Sequence, residues 1–236
     1  MAYQSNFQRY EIKYMLTRPQ KDALLKHMEP YMKLDRYGRT VIRNIYYDTP
    51  NYQLIRRSIE RPLYKEKLRI RSYDRAAPGG DVFVELKKKF KKVVYKRRLV
   101  MPIHEAMAWL AGDNGKKAPG QIGEEIHYFR DFYKNLRPSV FLSYEREAFY
   151  SLDGSDFRIT LDENILVRDR DLDLCSEAYG TSILPEGCFL LEVKAPGAIP
   201  LWLTDFLTKN KIYKTSFSKY GTAYQTMLFK GGKLCV

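Results

Sequence analysis

Between Lys65 and Arg71 the chain alternates strictly: Lys65, Lys67, Arg69 and Arg71 occupy every second position, with Leu68 and Ile70 between the last of them. Alternate side chains of an extended strand point to opposite faces, so one face here is cationic and the other aliphatic. After the turn residues Pro78-Gly79-Gly80 the pattern returns, with Val82, Val84 and Leu86 on one side and Phe83, Glu85, Lys87 and Lys89 on the other. Taken alone, such a pair means an antiparallel sheet with a solvated polar face. At least five further segments repeat it with the same residue types, and a charged lining shared by most strands predicts a barrel with a polar interior.

The remaining strands follow from the same period. They are expected over Phe7 to Tyr14, Val41 to Asp48, Val93 to Met101, Val140 to Tyr150, Phe157 to Asp162 and Phe189 to Lys194, which with the first pair makes about eight. Helical patterns lie between them: from Thr17, a plausible N-cap, to about Met32; a short turn from Asn51 to Ser58; Ile103 to Leu110; Gly123 to Leu136; Pro200 to Lys209; and one beginning near Ser218. The Gly- and Lys-rich stretch Gly112 to Gly120 is expected to be a disordered loop, and Asp169 to Pro185 an acidic loop. The fold class expected is mainly β with flanking helices (α+β), an eight-stranded antiparallel barrel. With no linker long enough to divide its 236 residues, the chain reads as a single domain over 1–236.

Charge narrows the partners. The formal net charge of +13, from 41 Lys and Arg against 28 Asp and Glu, points to an anion: nucleic acid, phosphates or a membrane surface. No apolar run reaches the ~20 residues of a membrane span, and the first residues lack the apolar core of a signal peptide, so a soluble, cytoplasmic protein is expected. Cys175, Cys188 and Cys235 lack zinc-type spacing and read as reduced thiols, while His27, His104 and His127 fall in helical patterns away from any nucleophile motif.

Lys13, Arg69, Arg71, Lys87, Arg146, Arg158 and Lys194, with Lys96, give almost every expected strand a cation. Converging without an anion they would cost several kcal/mol each, so the arrangement suits a polyanion, and linked phosphates supply that charge. Arginine offers phosphate a fork and lysine a point charge. Periodicity leaves open which face of Val93 to Met101 points inward. Glu11, Glu85 and Glu192 share the cationic faces; each is read either as the partner of a neighbouring cation or as a ligand of a divalent ion. Tyr10, Ile12 and Tyr14 occupy the opposite face of their strand from the charge, which argues against base stacking and so against nucleic acid as partner.

The order Arg9-x-Glu11-x-Lys13, Tyr46-Tyr47-Asp48-Thr49, Leu68-Arg69-Ile70-Arg71, Val84-Glu85-Leu86-Lys87, Tyr95-Lys96-Arg97-Arg98, Ser143-Tyr144-Glu145-Arg146, Leu191-Glu192-Val193-Lys194 and Ser216-Phe217-Ser218-Lys219-Tyr220 resembles the polyphosphate polymerase domain of the vacuolar transporter chaperone (VTC) family. That family belongs to the triphosphate tunnel metalloenzymes, the CYTH superfamily. The resemblance runs from about Phe7 to Tyr224 and implies an eight-stranded tunnel barrel that transfers the γ-phosphate of ATP onto polyphosphate with Mn²⁺ or Mg²⁺. It implies that Lys13, Arg69, Arg71, Lys87, Lys96, Arg146 and Lys219 bind phosphates and that Tyr144 and Ser218 add hydrogen bonds. Glu192 would hold the metal, with Lys194 lining the tunnel beside it. Hydrolytic relatives begin with Glu-x-Glu-x-Lys; here Arg9 stands in the first position, which agrees with the polymerase branch. Two rivals stand beside this reading: a metal-dependent triphosphatase with the same fold, and a non-enzymatic module that binds polyphosphate or RNA. Larger assemblies of the family carry a membrane part, so a membrane-protein partner is compatible with the resemblance.

Overall fold

The structure is a computed structural model that describes residues 10–91, 93–112, 118 and 120–229. Arg9, Cys235 and most of the expected loop between Gly112 and Gly120 lie outside them. Ten strands occur among the described residues: Tyr10–Thr17 (β1), Met32–Asp48 (β2), Tyr64–Tyr73 (β3), Asp81–Phe90 (β4), Val93–Pro102 (β5), Arg137–Ser151 (β6), Arg158–Arg168 (β7), Thr181–Ser182 (β8), Cys188–Ala195 (β9) and Lys214–Thr215 (β10). Eight have eight residues or more, matching the expected strands; β8 and β10 are two-residue additions. The helices are Arg18–Met28 (α1), Gln53–Ile59 (α2), Ile103–Leu110 (α3), Gly120–Tyr133 (α4), Leu201–Lys209 (α5) and Lys219–Ala223 (α6), the last continued by a π-helical turn over Tyr224–Leu228.

Two compact units are built from this chain. The first takes the described residues of 1–41, 144–165 and 184–217; the second takes those of 42–143, 166–183 and 218–236. The strands β2, β6 and β7 therefore contribute residues to both.

In the first unit the hydrogen-bonded order is β10-β1-β9-β7, all antiparallel. Its core gathers Tyr14 and Leu16 from β1, Leu24 and Met28 from α1, Ile159 and Leu161 from β7, Phe189, Leu191 and Val193 from β9, and Leu203, Phe206 and Leu207 from α5. Helix α1 starts where the Thr17 N–H donates to Gln20 Oε1 at 2.9 Å, so the proposed cap is present as the backbone half of a capping box. It stops at Met28 rather than Met32 because Pro30 lacks the N–H and the backbone freedom to continue it. Strand β2 starts nine residues before Val41. Lys33 to Arg39 hid that extension, since Asp, Gly and charged residues are poor strand formers, and Gly38 takes φ 61° within it.

In the second unit the order is β2-β3-β4-β5, again antiparallel and open. Leu68, Ile70, Val82, Val84 and Leu86, the aliphatic half of the alternation, are fully buried against Trp109 and Leu110 of α3 and Ile126 and Phe129 of α4. Each such side chain contributes about 1.5–3 kcal/mol relative to exposure, which fixes the face and hence the register. The acidic loop after β7 is held by Arg168, 2% exposed, whose guanidinium donates to the carbonyls of Asp171, Glu177 and Tyr179. Among the described residues no helix is long and apolar enough to cross a membrane.

Candidate active site

Register assembles the charged face of the second unit row by row. Across β3, β4 and β5 the aligned residues are Arg71, Phe83 and Val100; then Arg69, Glu85 and Arg98; then Lys67, Lys87 and Lys96. Glu85 is 1% exposed and sits in the middle row. Its Oε2 accepts from Arg69 Nε at 2.8 Å, with Arg69 Nη2 at 2.7 Å and Arg71 Nε at 3.7 Å; its Oε1 accepts from Arg98 Nε at 2.8 Å, and Lys96 Nζ lies at 2.7 Å. Four cations thus share one carboxylate. Burial alone would raise the Glu85 carboxyl, but Arg69, Arg71, Lys96 and Arg98 together hold it far below the usual range. Lys96 shows the cost of the excess. Burial lowers it and Glu85 opposes, but Arg98 adds to the fall, and its pKa drops to about 7.

Neighbouring side chains lock this face. Arg71 Nε donates to Asn44 Oδ1 at 2.9 Å, and Asn44 donates in turn to the Leu142 carbonyl at 3.0 Å. Arg69 Nη1 donates to Tyr46 Oη at 2.8 Å, and the Tyr46 ring stacks on Tyr220 with centroids 4.6 Å apart. Tyr220 Oη donates at 2.8 Å to Asp48, which also accepts the N–H groups of Leu54 and Ile55 at the start of α2. Ser218 caps α6 by accepting from the Gly221 N–H and receives Lys67 Nζ at 3.3 Å. Lys219 follows it, buried; burial pushes the Tyr46 phenol up, but Arg69 and Arg71, with Lys219, hold it below its ordinary value.

The first unit carries a second cluster of different balance. On facing strands Lys13 aligns with Glu192 and Glu11 with Lys194, so opposite charges meet across β1 and β9. Glu192 Oε1 lies 3.2 Å from Lys13 Nζ; its Oε2 accepts from Arg146 Nη2 at 3.0 Å and lies 3.8 Å from Lys194 Nζ. Arg146 also forks onto Asp162, with Nη2 to Oδ2 at 2.7 Å, and lies over the Tyr144 ring at 5.0 Å. Three cations meet three carboxylates, Glu11, Asp162 and Glu192. Burial and the Arg146 guanidinium lower Lys194 to about 8 against the pull of Glu192, whereas Asp162, Tyr144 and Glu192 together overcome burial to hold the Arg146 guanidinium well above its ordinary value.

The expected site residues therefore fall into two sets. Arg69, Arg71 and Lys96 meet on Glu85, with Lys87 in the adjoining row and Ser218 and Lys219 at the start of α6. Lys13, Arg146, Lys194, Tyr144 and Glu192 meet in the first unit. Arg158 aligns with Lys194 but is exposed, and its Nε lies 3.5 Å from Asp156 rather than in the cluster. The structure adds Arg98, Tyr46, Asn44 and Asp162. Two of these had a visible signal, since Arg98 is two residues from Lys96 and Asp162 two from Thr160 on alternating strands; Tyr46 and Asn44 act through contacts far apart in sequence.

The resemblance implies a divalent ion, and the first cluster offers it hard oxygen donors. Thr160 aligns with Glu192 and shares a strand face with Asp162, and its Oγ1 is buried without a hydrogen-bond partner among the described residues. Among those residues no group of three or more His, Cys, Asp or Glu could hold a metal. Glu192 and Asp162 with Thr160 are oxygen donors of the kind that Mg²⁺ or Mn²⁺ takes in the mode that uses one or two carboxylates and leaves the other positions to phosphate and water.

Solved structures share this antiparallel sheet with helices at its margins. One is a candidate adenylate cyclase from Bacillus halodurans, with 15% identity, a TM-score of 0.56 and coverage of 91% of this chain and 96% of that one. Another is a candidate adenylyl cyclase from Hippeastrum described as having a dominant triphosphatase activity, with 15% identity, a TM-score of 0.52 and coverage of 90% and 93%. At such identities the likeness is one of fold. The sequence profile of the VTC domain matches residues 8–228, and the chain belongs to the VTC domain family. No curated protein sequence matches significantly.

Proposed function

We propose that this VTC domain is an ATP-dependent polyphosphate polymerase. The observation that carries the reading is the cation excess around Glu85, where Arg69, Arg71, Lys96 and Arg98 share one buried carboxylate. Cations gathered at this density attract an anion, and a run of linked phosphates matches a face that continues to Lys67 and Lys87. These cations hold the triphosphate extended and take up charge as it develops on the transferring phosphoryl group. A terminal phosphate oxygen of the acceptor chain forms the new P–O bond to the γ-phosphorus; the bond from that phosphorus to the β–γ bridging oxygen breaks, and ADP leaves.

Glu192, with Asp162 and Thr160 beside it, would hold Mn²⁺ or Mg²⁺. Lys13, Arg146 and Lys194 pair with those carboxylates and hold them in place. The ion when bound would neutralise phosphate oxygens.

Incubation with ATP and Mn²⁺ is expected to yield ADP together with long polyphosphate resolved on gels, and a short polyphosphate primer to shorten any lag. ADP accompanied only by orthophosphate, across metals and primers, would make water the acceptor and the protein a triphosphatase. Glu192→Gln is expected to abolish metal-dependent turnover while tripolyphosphate still binds.

A further inference from the structure

The cationic face of the second unit changes character at one end. Beyond the row of Arg69, Glu85 and Arg98 comes the row of Arg71, Phe83 and Val100, and Tyr73 continues the Arg71 side of β3. Tyr73 is 45% exposed and Val100 55%, although both belong to the face that carries the phosphate-binding cations. The Tyr73 and Phe83 rings meet edge to face with centroids 5.4 Å apart. Arg98 ties this pair to the charged rows: its guanidinium lies 4.4 Å from the Phe83 centroid, and its Nη2 donates to Tyr73 Oη at 3.1 Å. An exposed ring, an aliphatic side chain and a guanidinium plane thus stand together at the end of a ladder of cations.

We propose that Tyr73 and Phe83, with Arg98 and Val100, form a subsite for the nucleobase of a nucleoside triphosphate whose phosphates lie along the adjoining cationic rows. The inference rests on the phosphate-binding reading of those rows and assigns the nucleotide a direction on the sheet. Rows two residues apart along a strand are separated by about 6–7 Å, so Phe83 lies about 13 Å from the row of Lys67, Lys87 and Lys96, a span that an extended nucleoside triphosphate covers. Rings and guanidinium planes stack on any base, because every base has a π-face. The subsite therefore accepts adenine and guanine alike, and inorganic tripolyphosphate does not use it. It supplies what phosphate contacts alone lack, a preference for nucleotide over bare polyphosphate at one end of the sheet.

The test compares ATP with tripolyphosphate as competitors of 2-aminopurine riboside triphosphate, whose fluorescence is quenched on stacking. The unmodified protein is expected to quench the probe, and both ligands to displace it. In Tyr73→Ala the affinity for ATP is expected to fall about ten-fold relative to that for tripolyphosphate, with the quench lost, since base stacking on an aromatic ring has that order of effect. Tyr73→Phe, which keeps the ring and loses only the hydroxyl, is expected to retain both. Equal losses for ATP and tripolyphosphate in Tyr73→Ala, or no loss for either, would overturn the subsite. Failure of tripolyphosphate to bind the unmodified protein would instead sink the phosphate reading, and the nucleobase proposal with it.

Discussion

Glu85 sets the electrostatics of its cluster because Arg69, Arg71, Lys96 and Arg98 all meet on its carboxylate. Replacing it with glutamine keeps the shape and leaves those cations facing one another. The expected loss is about 2 kcal/mol, below the ~3–5 kcal/mol of a fully buried pair because Lys96 and Arg98 are partly exposed to solvent. Thermal unfolding should show the deficit, and saturating tripolyphosphate should recover most of it by supplying the missing charge. The lysines predict a pH dependence as well. Lys96 at about 7 and Lys194 at about 8 are both below the usual lysine value because burial and adjacent guanidinium groups disfavour their charge. In the folded protein they bind fewer protons than in the unfolded chain between those values and the ordinary lysine pKa of about 10.4. Their contribution to stability therefore rises with pH across that window, and the cost of holding them charged is fully present below it. A bound phosphate reverses the preference and favours the charged form. Tripolyphosphate binding should take up protons and weaken from about pH 7 to about pH 9, and calorimetry in buffers of different ionisation enthalpy reads both. Flat affinity over that range would disconnect these lysines from the ligand.

Elements position these residues through contacts the sequence shows unevenly. The alternation from Lys65 to Arg71 and from Val82 to Lys89 was legible in full, because period-2 patterning and burial of one face are local properties, and register then followed from the buried Leu68, Ile70 and Val84. The convergence on Glu192 was legible in part. Lys13 and Lys194 share its expected face, but Asp162 and Thr160 join it only through the pairing of β7 with β9. The tie between α2 and α6 was not legible, since Asp48 and Tyr220 are 172 residues apart and meet only in the fold. Asp48 is fully buried, accepts from Leu54 N, Ile55 N and Tyr220 Oη, and so fixes the start of a seven-residue helix too short to hold itself. Asp48→Ala strands the Leu54 and Ile55 N–H groups and leaves Tyr220 Oη to Ser139 Oγ, 3.0 Å away; it is expected to cost about 2 kcal/mol in urea denaturation, the size of a lost helix cap with a buried hydrogen bond. Through Tyr220 and its stack on Tyr46 the change reaches Arg69. Tripolyphosphate affinity measured well below the unfolding midpoint should therefore fall too; a stability loss with unchanged affinity would confine Asp48 to the scaffold.

Among the described residues the two charged clusters differ in make-up: that of the first unit joins three cations to three carboxylates, and that of the second gathers four cations on Glu85. The net charge of +13 is thus more than a general attraction for anions. In the second unit the cations are laid out in rows, with Lys65 aligned to Lys89 beyond the row of Lys67, Lys87 and Lys96. A lengthening product would gain a contact with each further row of cations it reached, whereas a single triphosphate reaches fewer rows. Such contacts are screened by salt, and the more charges a ligand engages the more steeply its affinity falls with ionic strength. Affinity should therefore rise from pyrophosphate to tripolyphosphate to longer chains, and the slope of log affinity against log salt should steepen in the same order. Lys65→Ala and Lys89→Ala together should flatten the slope for long chains while leaving that for tripolyphosphate unchanged. A slope independent of chain length would mean that only one triphosphate's worth of charge is engaged, which favours hydrolysis over extension.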